Sequence, residues 1–170
     1  MKNIRIIMVL ALLLNTIQAF AQGNTDRIMI GGGLLYENGI DATLSWEHET
    51  KYHNAWEFFI SGYLKWQDDP EVGHITKQSF WHYYNTWGIG TAYKPCVVRG
   101  RNHHGNIRIG AILGSDTHHF MGWIPVGYEH DYCLRYNIHL YWQVKTEMAI
   151  GRSKDFFRSG LEIGIKLPLN

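Results

Sequence analysis

Charged residues are scarce in this chain. Only 18% of its 170 residues are Asp, Glu, Lys or Arg, against about a quarter in an ordinary soluble domain. An excess of one sign is missing as well: 16 basic residues meet 15 acidic ones, for a formal net charge of +1. A chain so balanced exerts no long-range pull on polyanions, so direct nucleic-acid binding is not expected. Long hydrophobic runs are also absent. The unbroken apolar stretch at 6–14 has nine residues, far short of the ~18–20 of a membrane-spanning helix. Two cysteines fit an oxidising compartment but are too few to define a disulfide scaffold. Helical periodicity is nearly absent.

The first 21 residues have the make-up of a secretory signal. Lys2 and Arg5 form a basic start, the apolar stretch follows, and Ala19-Phe20-Ala21 offers small residues at the positions a signal peptidase reads. Cleavage is expected before Gln22, leaving 149 of the 170 residues as a single exported domain at 22–170. Without Lys2 and Arg5 the charge balance becomes 14 basic against 15 acidic, or −1. No linker or low-complexity tract divides the remainder.

What fills that domain is alternation. Ile40, Ala42, Leu44, Trp46 and His48 interleave with Asp41, Thr43, Ser45 and Glu47, and Trp56 to Trp66 repeats the pattern. Successive strand side chains point to opposite faces, so each such segment has one apolar and one mixed face. Eight segments read this way: 27–36, 40–48, 55–66, 79–93, 106–115, 124–131, 137–149 and 156–167. Asn38-Gly39 is a tight-hairpin signal, and Asp68-Asp69-Pro70, Lys94-Pro95 and 99–105 mark longer connections. Eight antiparallel strands with short links most naturally close into an up-and-down barrel, which leaves no exposed edge.

A soluble exported barrel would be apolar within; an outer-membrane barrel is apolar without. The outer-membrane arrangement is favoured here. The apolar stripes, such as Leu161, Ile163, Ile165 and Leu167, are nearly free of charge, while the opposite stripe mixes Gly160, Glu162, Gly164 and Lys166. A narrow lumen needs small residues for room and pairs its few buried charges. Glu57, Lys65, Arg108, Glu147, Glu162 and Lys166 are therefore read as an internal ion-pair network rather than a conduction path. Aromatics at strand ends, Trp46 and Trp56 toward one rim and Trp66, Trp81 and Trp123 toward the other, are the expected membrane-interface belts in contact with outer-membrane lipid.

No catalytic, cofactor or metal residue is assigned. His103-His104 and His118-His119 are adjacent pairs, and adjacent strand side chains diverge. In loops, His74 and His118 are the pair most able to converge. Ser115-Asp116 near His118 is the nearest approach to the Ser–His–acid sets of lipid A-modifying barrels, but no His-x-Ser signature accompanies it. Gly31-Gly32-Gly33 has no following helix or Lys-Ser/Thr and is not a phosphate loop. Alternating connections put Cys96 and Cys133 on one rim. Two strands separate them, about 10 Å at ~4.8 Å per strand, beyond the ~7 Å limit for an undistorted bridge, although the link after Lys94 is long enough to lean across. A disulfide and two free thiols both fit.

Several short pieces resemble the TraO family of conjugative-transposon transfer proteins, best known from Bacteroides. They are Ile30-Gly31-Gly32-Gly33 in the first strand, Asn54-Ala55-Trp56-Glu57-Phe58 in the third, Ile75-Thr76-Lys77-Gln78 in the link, and Ile163-Gly164-Ile165-Lys166-Leu167-Pro168-Leu169-Asn170 at the end. Pro168 and the histidine-rich middle depart from that pattern. The resemblance implies a non-catalytic outer-membrane component of a DNA-transfer apparatus, with other envelope proteins as partners, and brings no catalytic residues with it. Two other roles fit the same barrel: an OmpA/OmpX-type adhesion or stability protein, and a lipid A-modifying enzyme.

Overall fold

The computed structural model describes residues 25–35, 38–82, 84–116, 118–150 and 156–169. The expected signal peptide at 1–21 lies outside them. Period-two alternation becomes one antiparallel sheet that closes on itself. Its strands are β1 (Thr25–Leu35), β2 (Gly39–Glu49), β3 (Ala55–Lys65), β4 (Tyr84–Lys94), β5 (Cys96–Arg99), β6 (His103–Ser115), β7 (Phe120–Cys133), β8 (His139–Ile150) and β9 (Phe157–Pro168). Strands β1 to β4 and β6 to β9 pair in sequence order, β1 pairs with β9, and β4 pairs with β6 to shut the ring. Strand β5 continues β4 past Pro95 and pairs with β6. The result is an eight-stranded up-and-down barrel. Its staves of 11 to 14 residues meet the ~9–11 that a tilted membrane strand requires.

One end of the barrel carries the start of β1, the finish of β9 and the three turns near residues 50–54, 100–102 and 134–138; it is called here the terminal end. The opposite, loop end carries the connections at 36–38, 66–83, 116–119 and 151–156. Strand β7 is longer at both ends than the expected 124–131, and two other boundaries differ from the sequence expectation for local reasons. The fourth strand starts at Tyr84 rather than 79, because Lys77–His82 forms a short helix, α1. Thr76 and Ser79 cap it reciprocally: Thr76 N–H donates to Ser79 Oγ at 2.9 Å and Ser79 N–H to Thr76 Oγ1 at 3.1 Å, which satisfies donors a strand start would leave to a neighbour. The long link at 94–105 resolves into a hairpin extension, in which β5 pairs with the early start of β6 and only 100–102 turn. Pro95 has no N–H to give a ladder, and Asn side chains bridge the gap. Cys96 N–H donates to Asn54 Oδ1 at 2.9 Å, and Asn106 Nδ2 donates to the Lys94 carbonyl at 2.9 Å and the His53 carbonyl at 2.7 Å.

The register fixes the faces. Arg27, Met29, Gly31, Gly33 and Leu35 of β1 point inward, and Ile30, Gly32 and Leu34 point out. Ladder pairs preserve the division around the ring, so Ile60, 56% exposed, sits opposite Leu44 and Ile89, and Ile163, 63% exposed, sits opposite Gly32 and Trp142. An exposed, charge-free apolar wall around a buried polar interior is the membrane arrangement and not the soluble one. Glycines inside the wall make room: a Cβ at Gly164 would overlap the Tyr141 ring, and one at Gly31 would overlap the Tyr141 hydroxyl and the Glu162 carboxylate.

Candidate functional site

The lumen holds the chemistry. Eight carboxylates are buried on inward-facing strand positions: Asp41, Glu47, Glu49, Glu57, Glu129, Asp131, Glu147 and Glu162. They face six buried cations, Arg27, Lys94, Arg108, Lys145, Arg158 and Lys166. Removing so many charges from water is tolerable only when each finds partners, and the contacts form continuous layers. In the central layer, Lys166 Nζ lies 2.6 Å from Glu129 and 3.0 Å from both Glu47 and Asp131. Lys94 joins Glu47, Glu129 at 3.0 Å and Glu57 at 3.5 Å. Arg108 Nε donates to Glu57 at 2.7 Å, with its guanidinium 4.3 Å from the Phe59 ring centre.

Toward the loop end, Lys145 joins Asp41 and reaches Glu162 at 2.8 Å, and Tyr141 donates to Glu162 at 2.8 Å. Arg158 donates to Glu147 at 2.7 Å and to Thr86 at 2.6 Å, stacked between the rings of Tyr63 and Trp123. Phe59, Ala92, Ile112, Met121, Trp123 and Ala149 pack as an apolar plug beside it. Glu57, Arg108, Glu147, Glu162 and Lys166 of the expected network pair in the lumen, with nine further charged residues beside them that the sequence pattern left unassigned. Lys65 lies on the same inward face, half-buried at the loop-end mouth.

Among the described residues, side chains fill this interior. Lys94, Lys166, Glu47, Glu57, Glu129, Asp131, Tyr141 and Trp123 are all essentially inaccessible, whereas the lining of a water-filled channel stays wet. A void lined by Asp41, Tyr63, Thr86, Trp123, Glu147 and Arg158 measures about 10 Å³, at the lower limit for one water molecule.

The aromatic assignments divide. Trp46 is exposed on the outer wall near the terminal end, stacked on Phe58, and Trp56 packs against Tyr93. Trp66 stacks on Phe80 of α1, beside exposed Trp81 at the loop end. Trp123 is corrected: it is 2% exposed and inside the barrel. The reason is parity, since Trp123 pairs with inward Ala149 and Ile112. Of the two thiol states that fit the sequence, the structure holds the unbridged one. Cys96 and Cys133 are free thiols. Cys96 pairs with Asn106, which faces Glu129, four residues short of Cys133 on β7. That offset adds about 13 Å along the strand to about 10 Å across two strands. Asp116 of the Ser115–Asp116–His118 group serves its own turn, accepting the backbone N–H of His118 at 3.0 Å and of His119 at 2.6 Å.

Histidines converge elsewhere, at the terminal-end mouth. His104 Nδ1 lies 2.8 Å from Asp131 Oδ1, and His139 Nδ1 lies 3.4 Å from the same oxygen. Just outside, His53 stacks on His104 with ring centres 4.6 Å apart and contacts Glu49 through Nδ1 at 2.5 Å. Among the described residues, His104, Asp131 and His139 form one set with metal-ligand spacing and Glu49, His53 and His104 another. Convergence comes from across the sheet rather than along a strand. His104 is the direct ladder partner of Asp131, and His139 begins the next strand one inward position further on. Adjacent-pair reasoning about His103-His104 was sound, but only the register reveals this pairing. The turns serve the mouth. Tyr52-His53 and Tyr136-Asn137 each adopt positive φ, between 58° and 66°, a conformation uncommon outside glycine and Asn.

No protein-family model matches this chain, and no curated protein does. A solved structure described as "De novo design of transmembrane beta-barrels" is similar to it. The TM-score is 0.51 at 12% sequence identity, covering 85% of this chain and 95% of the designed one. That likeness is one of fold: a closed antiparallel barrel of transmembrane type.

Proposed function

We propose that this chain is an integral outer-membrane barrel that neither conducts nor catalyses, and that it acts as an envelope component through the rims it presents on either side of the membrane. The observation that carries the reading is the inverted distribution of charge. Every buried strand carboxylate and cation faces the lumen and is paired there, while the outer wall is apolar. A lumen so filled supports an anchoring or docking role over a pore. The resemblance of the pieces at Ile30–Gly33, Asn54–Phe58 and Ile163–Asn170 to the TraO family makes a conjugative transposon's DNA-transfer apparatus the proposed assembly, with its envelope subunits as partners and outer-membrane lipid around the wall.

Deletion of the gene from a transfer-competent host tests this directly. Conjugal transfer should fall and return on complementation, with lipid A mass unchanged. Unaltered transfer frequency would remove the transfer role, and a change in lipid A mass would overturn the non-catalytic reading. Channel steps from the purified barrel in planar bilayers would contradict the sealed lumen.

A further inference from the structure

The geometry points to a binding site for a divalent transition-metal cation of the zinc class at the terminal-end mouth, with His104, His139 and Asp131 as its protein ligands. The decisive feature is a nitrogen without a proton donor. His139 is 5% exposed, and its Nε2 lies 3.2 Å from Asn137 Oδ1. That amide oxygen only accepts, so the proton of the neutral ring sits on Nε2. In that neutral form Nδ1 turns its lone pair toward Asp131 Oδ1, 3.4 Å away, at a geometry too poor for a well-formed hydrogen bond. A lone pair facing a carboxylate inside a protein repels unless a cation lies between them.

Three further observations fit a metal in that place. Bonds of ~2.0–2.1 Å at tetrahedral angles put neighbouring ligand atoms about 3.3 Å apart, and Oδ1 lies 2.8 and 3.4 Å from the two imidazole nitrogens. The Nε2–Asn137 contact is the outer hydrogen bond that metal-ligating histidines usually make. Finally, the eight buried lumen carboxylates outnumber the six buried Lys and Arg even with half-buried Lys65 added, so the interior favours added positive charge. Lys166 contacts the other oxygen, Oδ2, at 3.0 Å, so Oδ1 remains for the metal. On loading, His104 binds through Nδ1 as its neutral Nε2–H tautomer, and a proton held on Nδ1 passes to water. Three protein ligands leave one position for water or for a group from a partner.

The test uses the chain folded in detergent micelles without an affinity tag. Cobalt(II) alone is titrated in and followed by its visible absorption, then displaced with zinc(II). One cobalt per chain with a tetrahedral-type spectrum is expected. His104→Gln and His139→Gln should each weaken binding at least tenfold, and Asn137→Ala about tenfold through the outer hydrogen bond. His53→Gln should change affinity less than twofold. Heat-modifiable gel migration reports whether each variant is folded; should His139→Gln fail to fold, Asn137→Ala carries the test. Absence of binding by the folded wild type, which protons filling the site would produce, overturns the proposal. So does unweakened binding in Asn137→Ala, or loss in His53→Gln with retention in His139→Gln.

Discussion

Lys166 on β9 places its ammonium 2.6 Å from Glu129 on β7, both about 1% exposed, and so ties the last strand to one two places round the ring. Glu129 accepts from Lys94 as well, at 3.0 Å through each oxygen. Removing it takes one carboxylate from each of two buried ammonium groups, leaving Lys166 with Glu47 and Asp131 and Lys94 with Glu47 and Glu57. Truncating one partner of a buried pair costs about 3–5 kcal/mol, so Glu129→Ala should lose that much stability in urea unfolding from lipid vesicles. Glu71→Ala, at an exposed loop position, should stay within about 0.5 kcal/mol of the parent.

The outer wall predicts a different sensitivity. Ile60 and Ile163 lie near the middle of their strands and face outward. An arginine at the bilayer midplane of a barrel costs about 2–4 kcal/mol. Ile60→Arg and Ile163→Arg should each show that loss when folded into bilayers and a much smaller one in detergent micelles. Ser61→Arg, on the inward face, should impair folding in both media alike, because it crowds the lumen.

Two glycines should respond oppositely. A Cβ at Gly31 overlaps the Tyr141 hydroxyl and the Glu162 carboxylate, whereas one at Gly62 meets nothing within 4 Å. Overpacking costs about 1–3 kcal/mol, so Gly31→Ala should destabilise by that order. Gly62→Ala should stabilise by about 0.5–1 kcal/mol, since Gly gives up more chain entropy on folding than Ala does. Equilibrium unfolding of the pair in one lipid composition checks both signs.

Thiol chemistry offers an independent check of the register. With Cys96 and Cys133 both free, labelling of the unfolded, unreduced protein should find two reactive thiols per chain. Finding none on a chain that runs as a monomer without reductant, which excludes an intermolecular bridge, would place the two residues within bridging distance and contradict the pairing of β5 with β6.

Alternation made the barrel, its closure and its inverted faces legible, because a strand's period of two needs no tertiary knowledge to assign. Glu57, Arg108, Glu147, Glu162 and Lys166 could be placed in the lumen for the same reason. What stayed hidden depended on register or on local competition. Trp123 looks like a rim residue by its place near a loop, and only its pairing with Ala149 puts it inside. The start of β4 was obscured by Thr76 and Ser79, whose mutual capping holds Lys77–His82 as a helix against a continuing apolar alternation. His104 and His139 are 35 residues apart in sequence, and nothing short of the β6–β7–β8 register shows that both reach Asp131.

Oxygen and nickel-chelate accessibility of a spin label at position 60 tests the inverted barrel most directly. In a Cys96→Ser, Cys133→Ser background, Ile60→Cys carries the nitroxide on the barrel folded in lipid vesicles, with Glu71→Cys at an exposed loop position as the comparison. The account predicts that the label at 60 collides freely with dissolved oxygen and hardly at all with the water-soluble chelate, and that the label at 71 shows the reverse preference. Greater access of the chelate than of oxygen at position 60 would place that face in water and contradict the membrane barrel.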